Sequence, residues 1–160
     1  MDRPAFVRVL GGIFEHSPWV ADRAFSEQPF ASVDGLHAAM TAAVARAAER
    51  EKLTLLRAHP ELAGKAAVRG ELTSDSSKEQ SGAGLSQCSQ EEFALLTELN
   101  RRYNAKFGFP FILAVKGHDR ASVIGEFARR VEQDRTSEFA ESLAQIARIT
   151  RYRLEALVTG

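Results

Sequence analysis

The sequence has a single cysteine, Cys88, among its 160 residues. One thiol cannot form a disulfide within the chain, which excludes a disulfide-stapled fold and favours a reducing compartment. The apolar runs are also too short for a membrane-spanning helix, which needs roughly 20 residues, and the N-terminus has no signal-peptide pattern. These absences predict a cytoplasmic protein that does not enter the membrane.

An excess of charge of one sign is missing as well, because 21 basic and 21 acidic side chains give a net charge of zero. Binders of nucleic acid or of anionic membranes usually carry a basic excess, so neither partner is expected. The histidines are scattered without the i, i+4 pair of a zinc helix, so no metal site is expected. Cys88 has no histidine close by in the sequence, which disfavours a role as nucleophile but leaves a neighbour in space open.

Helical periodicity, in contrast, covers most of the chain. The alanine-rich segment from Ser32 to Ala48 predicts one long helix, in which His37 should be structural. A capping box at residues 89–92 predicts the start of another helix, which Gly108 should end. We therefore predict an all-α, single-domain bundle over residues 1–160, with about seven to nine helices. Further helix starts are expected at Asp2, at Ser17, within Ser74–Ser77, at Asp119 and near Thr136.

The apolar run at residues 109–115 has the periodicity of a strand. No second strand-like run exists to pair with it, and an isolated strand would leave its backbone groups unpaired. We therefore predict an extended buried segment here, whose backbone amides are available to a ligand.

A polar stretch at residues 59–85 interrupts the helical packing pattern. Because a residue before proline is driven out of the α region, Pro60 should end a helix and leave the His59 imidazole at its edge. An imidazole at an edge can meet a ligand. The alternative is a structural, hydrogen-bonded histidine, which is the more common case for a single His before Pro.

Later in the same stretch, Ser76, Glu79 and Gln80 share one face of a short predicted helix. A hydroxyl, a carboxylate and an amide on one face could bind a polar ligand. The alternative is a solvated helix face. Gly82 and Gly84 should end this helix.

In the last predicted helix, Arg153 lies on the packing side, whereas Arg148 and Arg151 point away. A guanidinium on a packing face is costly unless acceptors or an anion meet it. The helix alone favours an internal salt bridge, or a head group that reaches past the apolar stripe, over a ligand. The side chains of that stripe are Phe139, Leu143, Ile146, Thr150 and Leu157.

Together these motifs resemble those of the 2-oxo-4-hydroxy-4-carboxy-5-ureidoimidazoline (OHCU) decarboxylases. The family's His-Pro-x-Leu-Ala is found at residues 59–63, its Ser-x-x-Glu-Gln at residues 76–80 and its Gly-Phe-Pro-Phe at residues 108–111. The match also includes Leu10-Gly11, Glu15-His16-Ser17-Pro18-Trp19 and Arg153-Leu154, so it covers nearly the whole chain.

The resemblance implies a cofactor-free enzyme, without a metal, that decarboxylates OHCU to (S)-allantoin in the last step from urate to allantoin. It implies His59 as the principal acid or base and Glu79 as its partner. For Arg153 it favours a role as a substrate anchor over the internal salt bridge. It also implies a homodimer. The other substrate-binding residues that it implies are Pro60, Ser76, Gln80, Phe111 and Ile112.

The competing hypothesis is a helical module that binds a small molecule or a protein partner without turnover. The presence of both His59 and Glu79 favours the enzyme, because a pure binder would not need this pair of titratable groups.

Overall fold

The computed structural model of the protein describes residues 1–159, apart from the side chains of residues 65 and 66. Within these residues it contains nine α-helices, two short 3-10 helices and no β-strand, which confirms the all-α class. The α-helices are α1 (Arg3–Leu10), α2 (Trp19–Ala24), α3 (Val33–Ala45), α4 (Glu49–Ala58), α5 (Lys65–Val68), α6 (Ser74–Gly82), α7 (Gln90–Phe107), α8 (Arg120–Arg130) and α9 (Arg135–Thr159). The 3-10 helices are Phe25–Glu27 and Leu85–Gln87.

The helices form two compact units. Unit 1 contains residues 1–59 and the chain from residue 146 onward, and unit 2 contains residues 60–145. None of the described helices is long and apolar enough to cross a membrane.

In unit 1, side-chain caps set the starts of two helices as predicted. The Asp2 carboxylate accepts a hydrogen bond from the Ala5 N–H at 2.9 Å, and the Ser32 hydroxyl accepts one from the Gly35 N–H at 3.1 Å. These bonds satisfy N–H groups that a helix leaves unpaired in its first turn. Helix α2 packs against both α1 and α3. The core of this unit includes Phe6, Val20, Ala24, Met40, Leu55 and Leu56, all buried.

Two predicted helix limits in unit 1 are wrong. Ser17 does not cap α2, because its hydroxyl donates to the Glu15 carbonyl at 2.9 Å instead. The segment from Ser32 to Ala48 is also not one helix: α3 ends at Ala45 and α4 begins at Glu49. The Glu51 carboxylate accepts a hydrogen bond from the Ala48 N–H at 3.1 Å, and this bond supports a new helix start.

In unit 2, both limits of α7 and the start of α8 are those predicted. Ser89 and Glu92 form the capping box of α7, and Gly108 ends that helix in the left-handed conformation with φ 78°. Asp119 caps α8 through the N–H of Ser122 at 2.8 Å. Residues 109–115 between these helices form neither helix nor strand, and all are buried, which confirms a buried segment outside regular secondary structure.

The N-cap of α6 lies one residue before the predicted range. The Thr73 hydroxyl accepts a hydrogen bond from the Ser76 N–H at 3.3 Å, so Thr73 is the cap and Ser74 is already helical. Any of several adjacent hydroxyl residues could have served, and sequence pattern does not choose between them. At the other end Gly82 ends the helix and Gly84 has φ 79°, as expected.

Helix α9 buries a face that is more polar than predicted. Leu157, assigned to its apolar stripe, is 47% exposed, so that assignment is wrong. It lies beyond Leu154, the last buried residue of the helix. The polar side chains that α9 buries are Glu138, Ser142, Gln145, Thr150 and Arg153.

Candidate active site

His59 is the C-cap residue of α4, with extended φ −74° and ψ 138°. Pro60 disfavours helical backbone at this position, so the predicted helix end is confirmed. The ring is not at an open edge, however, because His59 is only 6% exposed. Its Nε2 atom is buried and has no hydrogen-bond partner within the described part of the chain. A buried polar side-chain atom in a folded protein usually has a hydrogen-bond partner, which can be a protein group, an ordered water or a ligand.

Arg153, from the last part of α9, forms a buried ion pair in unit 1. Its Nη1 donates to Oε2 of Glu15 at 2.8 Å and to the Ile13 carbonyl at 3.2 Å. Glu15 is 2% exposed and Arg153 is 6% exposed. The internal salt bridge that the helix pattern favoured is therefore present, and the role of Arg153 as a substrate anchor stays a prediction.

Glu15 lies in the turn between α1 and α2. The next residue, His16, has φ 48°, a left-handed conformation that is uncommon outside glycine. Ser17 donates its hydroxyl to the Glu15 carbonyl at 2.9 Å. Because the turn is held in this way, the Glu15 carboxylate is fixed in the interior beside Arg153.

Burial sets the protonation state of His59. Loss of hydration lowers the pKa of its imidazole from 6.5 to about 4. The charge of Glu15 raises this pKa, while the charges of Arg153 and His16 lower it. The ring is therefore neutral near pH 7 and can accept a proton from a bound ligand.

The second group of predicted residues lies on α6 in unit 2. Ser76 and Gln80 are buried, and Glu79 is half-buried on the same helix face. Gln80 binds the preceding loop: its Oε1 accepts from the Ala63 N–H at 2.9 Å, and its Nε2 donates to the Glu61 carbonyl at 3.3 Å. These bonds fix the loop that follows Pro60, so Gln80 has a structural role whether or not it also contacts a substrate.

The third group lies in the extended segment. Phe111 is fully buried, and its ring stacks on that of Phe127 with centroids 4.0 Å apart. Ile112 is 3% exposed, and its carbonyl accepts a hydrogen bond from Nη1 of Arg130. The Phe111 side chain is thus part of the core of unit 2.

The structure therefore brings His59 and Arg153 together in unit 1, around Glu15. In unit 2 it places Ser76, Glu79 and Gln80 on one helix face. The sequence interpretation gave Glu15 no role, although the residue belongs to a matched motif. One signal was available: Glu15 follows the apolar pair Ile13 and Phe14, which is an unusual setting for a solvated acid.

Across residues 1–159, no group of three or more His, Cys, Asp or Glu side chains is placed to hold a metal ion. The chemistry that the site offers is acid–base chemistry. A neutral, desolvated imidazole can take a proton, and a fixed guanidinium beside it can stabilise negative charge.

Comparison with known proteins shows that the chain is similar to OHCU decarboxylases over nearly its whole length. The sequence model of the family described as OHCU decarboxylase matches residues 1–155. An OHCU decarboxylase of Halalkalicoccus jeotgali is 41% identical over 98% of this chain and 86% of its own length. A human protein described as a putative OHCU decarboxylase is 39% identical over 99% of this chain and 91% of its own length.

Longer and solved relatives agree with this picture. The uric acid degradation bifunctional protein PucL of Bacillus subtilis is 41% identical over 99% of this chain, which corresponds to 31% of that protein. The crystal structure of an (S)-allantoin synthase superposes with a TM-score of 0.79 at 28% identity, covering 98% of this chain and 51% of that one. With a match that spans almost its entire length, this chain belongs to the OHCU decarboxylase family.

Proposed function

We propose that this protein is a carboxy-lyase that converts OHCU to (S)-allantoin and carbon dioxide, the last step in the conversion of urate to allantoin. The observation that supports this most directly is His59. It is buried, its pKa is lowered to about 4, and its Nε2 has no partner in the described chain. The family motif puts the acid or base of the reaction at this residue.

The substrate needs little help from a cofactor. Its ring carbon carries both a carboxylate and a hydroxyl and is bonded to an amidine-like carbon that can accept electrons. Loss of carbon dioxide therefore moves charge into the ring itself. The protein has to supply orientation, a base for the hydroxyl proton and a proton delivered to one face. A cofactor-free reaction is thus part of the proposal.

His59 is the principal acid or base in this proposal, and Glu79 is its partner. A neutral imidazole can accept the hydroxyl proton as the carbon–carbon bond breaks. Glu79 holds ring or ureido nitrogens or transfers the second proton. Further substrate contacts are assigned to Pro60, Ser76, Gln80, Phe111 and Ile112.

Arg153 anchors an oxygen of the substrate in this proposal. A guanidinium that gripped the carboxylate itself would stabilise the reactant more than the transition state. Contact with an oxygen that gains charge as the bond breaks would favour the transition state instead. The ion pair with Glu15 supports such a role, because it holds the guanidinium in a fixed orientation.

The test is optical. The unstable product of urate oxidation is generated in the cuvette, the protein is added, and the circular dichroism of (S)-allantoin is followed. We expect the signal to appear faster than in the spontaneous, racemic decay. Binding of a ring analogue without any acceleration would contradict the proposal and favour a non-catalytic binding module.

The cofactor-free part has its own test. Dialysis against EDTA should leave the rate of (S)-allantoin formation unchanged. Loss of activity that a divalent ion restores would contradict it.

A homodimer and a cytoplasmic location complete the proposal. The family resemblance supports the dimer, and the single cysteine supports a reducing compartment. Sedimentation at micromolar concentration should give twice the mass of one chain. A species of 17.6 kDa would contradict the dimer.

A further inference from the structure

The proposed reaction takes up one proton in every turnover. Near neutral pH the substrate binds as a carboxylate, and it leaves as neutral allantoin and carbon dioxide. The charge therefore balances only if a proton is added: R–COO⁻ + H⁺ → R–H + CO2. The hydroxyl proton that His59 accepts can return to the product, but a second proton has to come from solvent. Whichever group in the site delivers that second proton must be reloaded before the next turnover.

The buried imidazole is poorly placed to collect this proton itself. His59 is only 6% exposed, and burial keeps its pKa at about 4, so the ring carries no extra proton near pH 7. Free hydronium is scarce at that pH. A side chain at the surface that readily gains and loses a proton near neutral pH would overcome both limits, and histidine is the side chain with this property.

His16 is a histidine of this kind, next to the buried charges of unit 1. Its side chain is 68% exposed, and its Nε2 lies 4.0 Å from Oε1 of Glu15. Glu15 itself is only 2% exposed. His16 has φ 48°, in the left-handed region, which histidine occupies more often than most residues. The pair thus places a solvated imidazole beside a carboxylate in the interior.

Glu15 links this exposed ring to the interior. Its Oε2 accepts a hydrogen bond from Nη1 of Arg153 at 2.8 Å, whereas its Oε1 is the oxygen near His16. Among the charges that act on the His59 imidazole, that of Glu15 has the largest effect, ahead of those of Arg153 and His16. The carboxylate is therefore close to an imidazole at the surface and to one in the interior.

We propose that His16 takes up protons from solvent and passes them through the Glu15 carboxylate to the buried site, where they replace the proton that each turnover consumes. The distance of 4.0 Å exceeds a hydrogen bond, so rotation of the exposed ring or one bridging water has to close it. Nε2 then gives its proton to Oε1, the carboxyl group releases a proton to the site, and water reprotonates the ring. His16 acts through Glu15 and touches no reacting atom. The inference rests on the proposed function, because the loss of carbon dioxide creates this demand for a proton.

Such a supply step has its own kinetic signature. Carbon dioxide leaves the site, so its loss is irreversible under initial-rate conditions. The ratio kcat/KM contains only the steps up to that point, whereas kcat also contains the return of the proton. Loss of the supply should therefore lower kcat and leave kcat/KM unchanged. Loss of His59, which acts on the substrate itself, should lower both.

His16→Asn tests the inference, because asparagine also tolerates the left-handed backbone and does not titrate. In dilute buffer we expect kcat to fall roughly 10- to 100-fold, at or below the low end of what a positioned acid or base contributes. The ratio kcat/KM should change less than about twofold. Free imidazole added to the assay should restore kcat of the variant, because a small buffer molecule can carry the proton instead, and should have little effect on wild type.

Two further variants separate proton transfer from other effects of the change. His16→Lys keeps a positive charge, but an ammonium holds its proton too tightly to cycle near neutral pH, so this variant should behave like His16→Asn. His118→Asn is the matched control. It removes an imidazole whose charge is not among those that act on His59, so kcat in dilute buffer should equal that of wild type.

The outcomes separate the two proposals. A wild-type protein that does not accelerate OHCU decay overturns the proposed function. An active wild type whose kcat in dilute buffer is unchanged in folded His16→Asn or His16→Lys overturns the proton supply alone. A loss that added imidazole does not restore, or that lowers kcat/KM equally, overturns it as well.

Discussion

His59 is a buried side chain with one polar atom left without a partner in the described chain. Leaving a buried donor or acceptor unpaired costs about 1–3 kcal/mol. Burial also removes the charge that histidine often carries, because it lowers the pKa to about 4. Both effects disfavour a purely structural role and suit a base that is completed by a ligand.

The first prediction concerns turnover. His59→Ala should lower kcat by roughly 10² to 10⁴, because a general acid or base contributes about this factor. The circular dichroism of (S)-allantoin measures the rate. His37→Ala is the matched control, because His37 hydrogen-bonds to the Ala147 carbonyl at 2.8 Å and has no assigned role in the reaction. Turnover close to wild type in folded His59→Ala would rule out the acid–base role.

The second prediction concerns Glu15. Its charge raises the pKa of His59, so Glu15→Gln should lower that pKa further. The charge of Arg153 also lowers this pKa, and in the variant Glu15 no longer offsets it. We therefore expect the acid limb of the kcat/KM profile to move to lower pH by about one unit.

Glu51→Gln is the control for this shift. Glu51 also pairs with an arginine in unit 1, Arg23, but that pair is partly exposed and is not among the charges that act on His59. The acid limb of the kcat/KM profile of Glu51→Gln should therefore stay at the pH of wild type. An unmoved or raised limb in Glu15→Gln would contradict the role of Glu15.

The sequence predicted the backbone at His59 well and its surroundings poorly. Proline acts locally, so the helix end at Ala58 followed from Pro60 alone. The burial of the ring and the approach of Glu15 depend on packing between segments far apart in the chain. No local pattern contains that information, and the predicted open edge was therefore wrong.

At the scale of elements, a helix start was predictable where one residue could serve as its cap and ambiguous where several adjacent residues could. Ser32, Ser89 and Asp119 were each correctly expected at the start of a helix, and each of them caps it. In α6, however, the cap is Thr73, next to a run of equally suitable residues. The break between α3 and α4 was missed because alanine is the strongest helix former, so the alanine-rich sequence around the break gives no stop signal.

The third prediction uses a helix end. Gly108 ends α7 with φ 78°, where a side chain is strained, so Gly108→Ala should lower the free energy of unfolding by about 1–2 kcal/mol. Gly125→Ala is the opposite control. It lies inside α8 with open space around its Cα, so alanine should raise stability by about 1 kcal/mol. Urea unfolding measures both. Equal effects of the two changes would contradict the conformational argument.

The extended segment shows what element-level reasoning can supply. The lack of a partner strand was enough to reject a sheet at residues 109–115. The groups that bind its backbone instead, Arg130 and Gln145, were not predicted. Arg130 pairs with Glu138 eight positions along the chain and across a helix boundary, so neither helical nor strand periodicity indicates the contact.

At the scale of the whole molecule, its charged groups divide into exposed pairs and buried ones. Exposed ion pairs such as Arg101 with Glu98 contribute little to stability. The buried pair of Arg130 and Glu138 differs, because removal of one partner would leave the other charge without compensation. Composition recorded only a balanced total of charge, so it could not distinguish these cases.

The last prediction concerns the dependence of overall stability on pH. The folded protein holds the pKa of His59 at about 4, below its usual 6.5, so the unfolded chain binds a proton more readily. The contribution of His59 to the free energy of unfolding should therefore be fully present above pH 6.5 and should be lost as the pH decreases towards 4. This one group accounts for about 3 kcal/mol of that loss. The pKa of His37 is also lowered, chiefly by burial, and its effect has the same sign.

His59→Gln isolates this contribution, because glutamine does not titrate. Urea unfolding of both proteins at pH 7, 5.5 and 4.5 gives the two pH dependences. The variant should lose less stability than wild type over this range. Carboxylates with a lowered pKa, such as Glu92, also begin to lose stabilisation near the acid end of the range, but they should affect both proteins alike. Parallel curves would mean that His59 titrates normally in the folded state, and a normally titrating imidazole would not be the buried, neutral base on which the proposed decarboxylation depends.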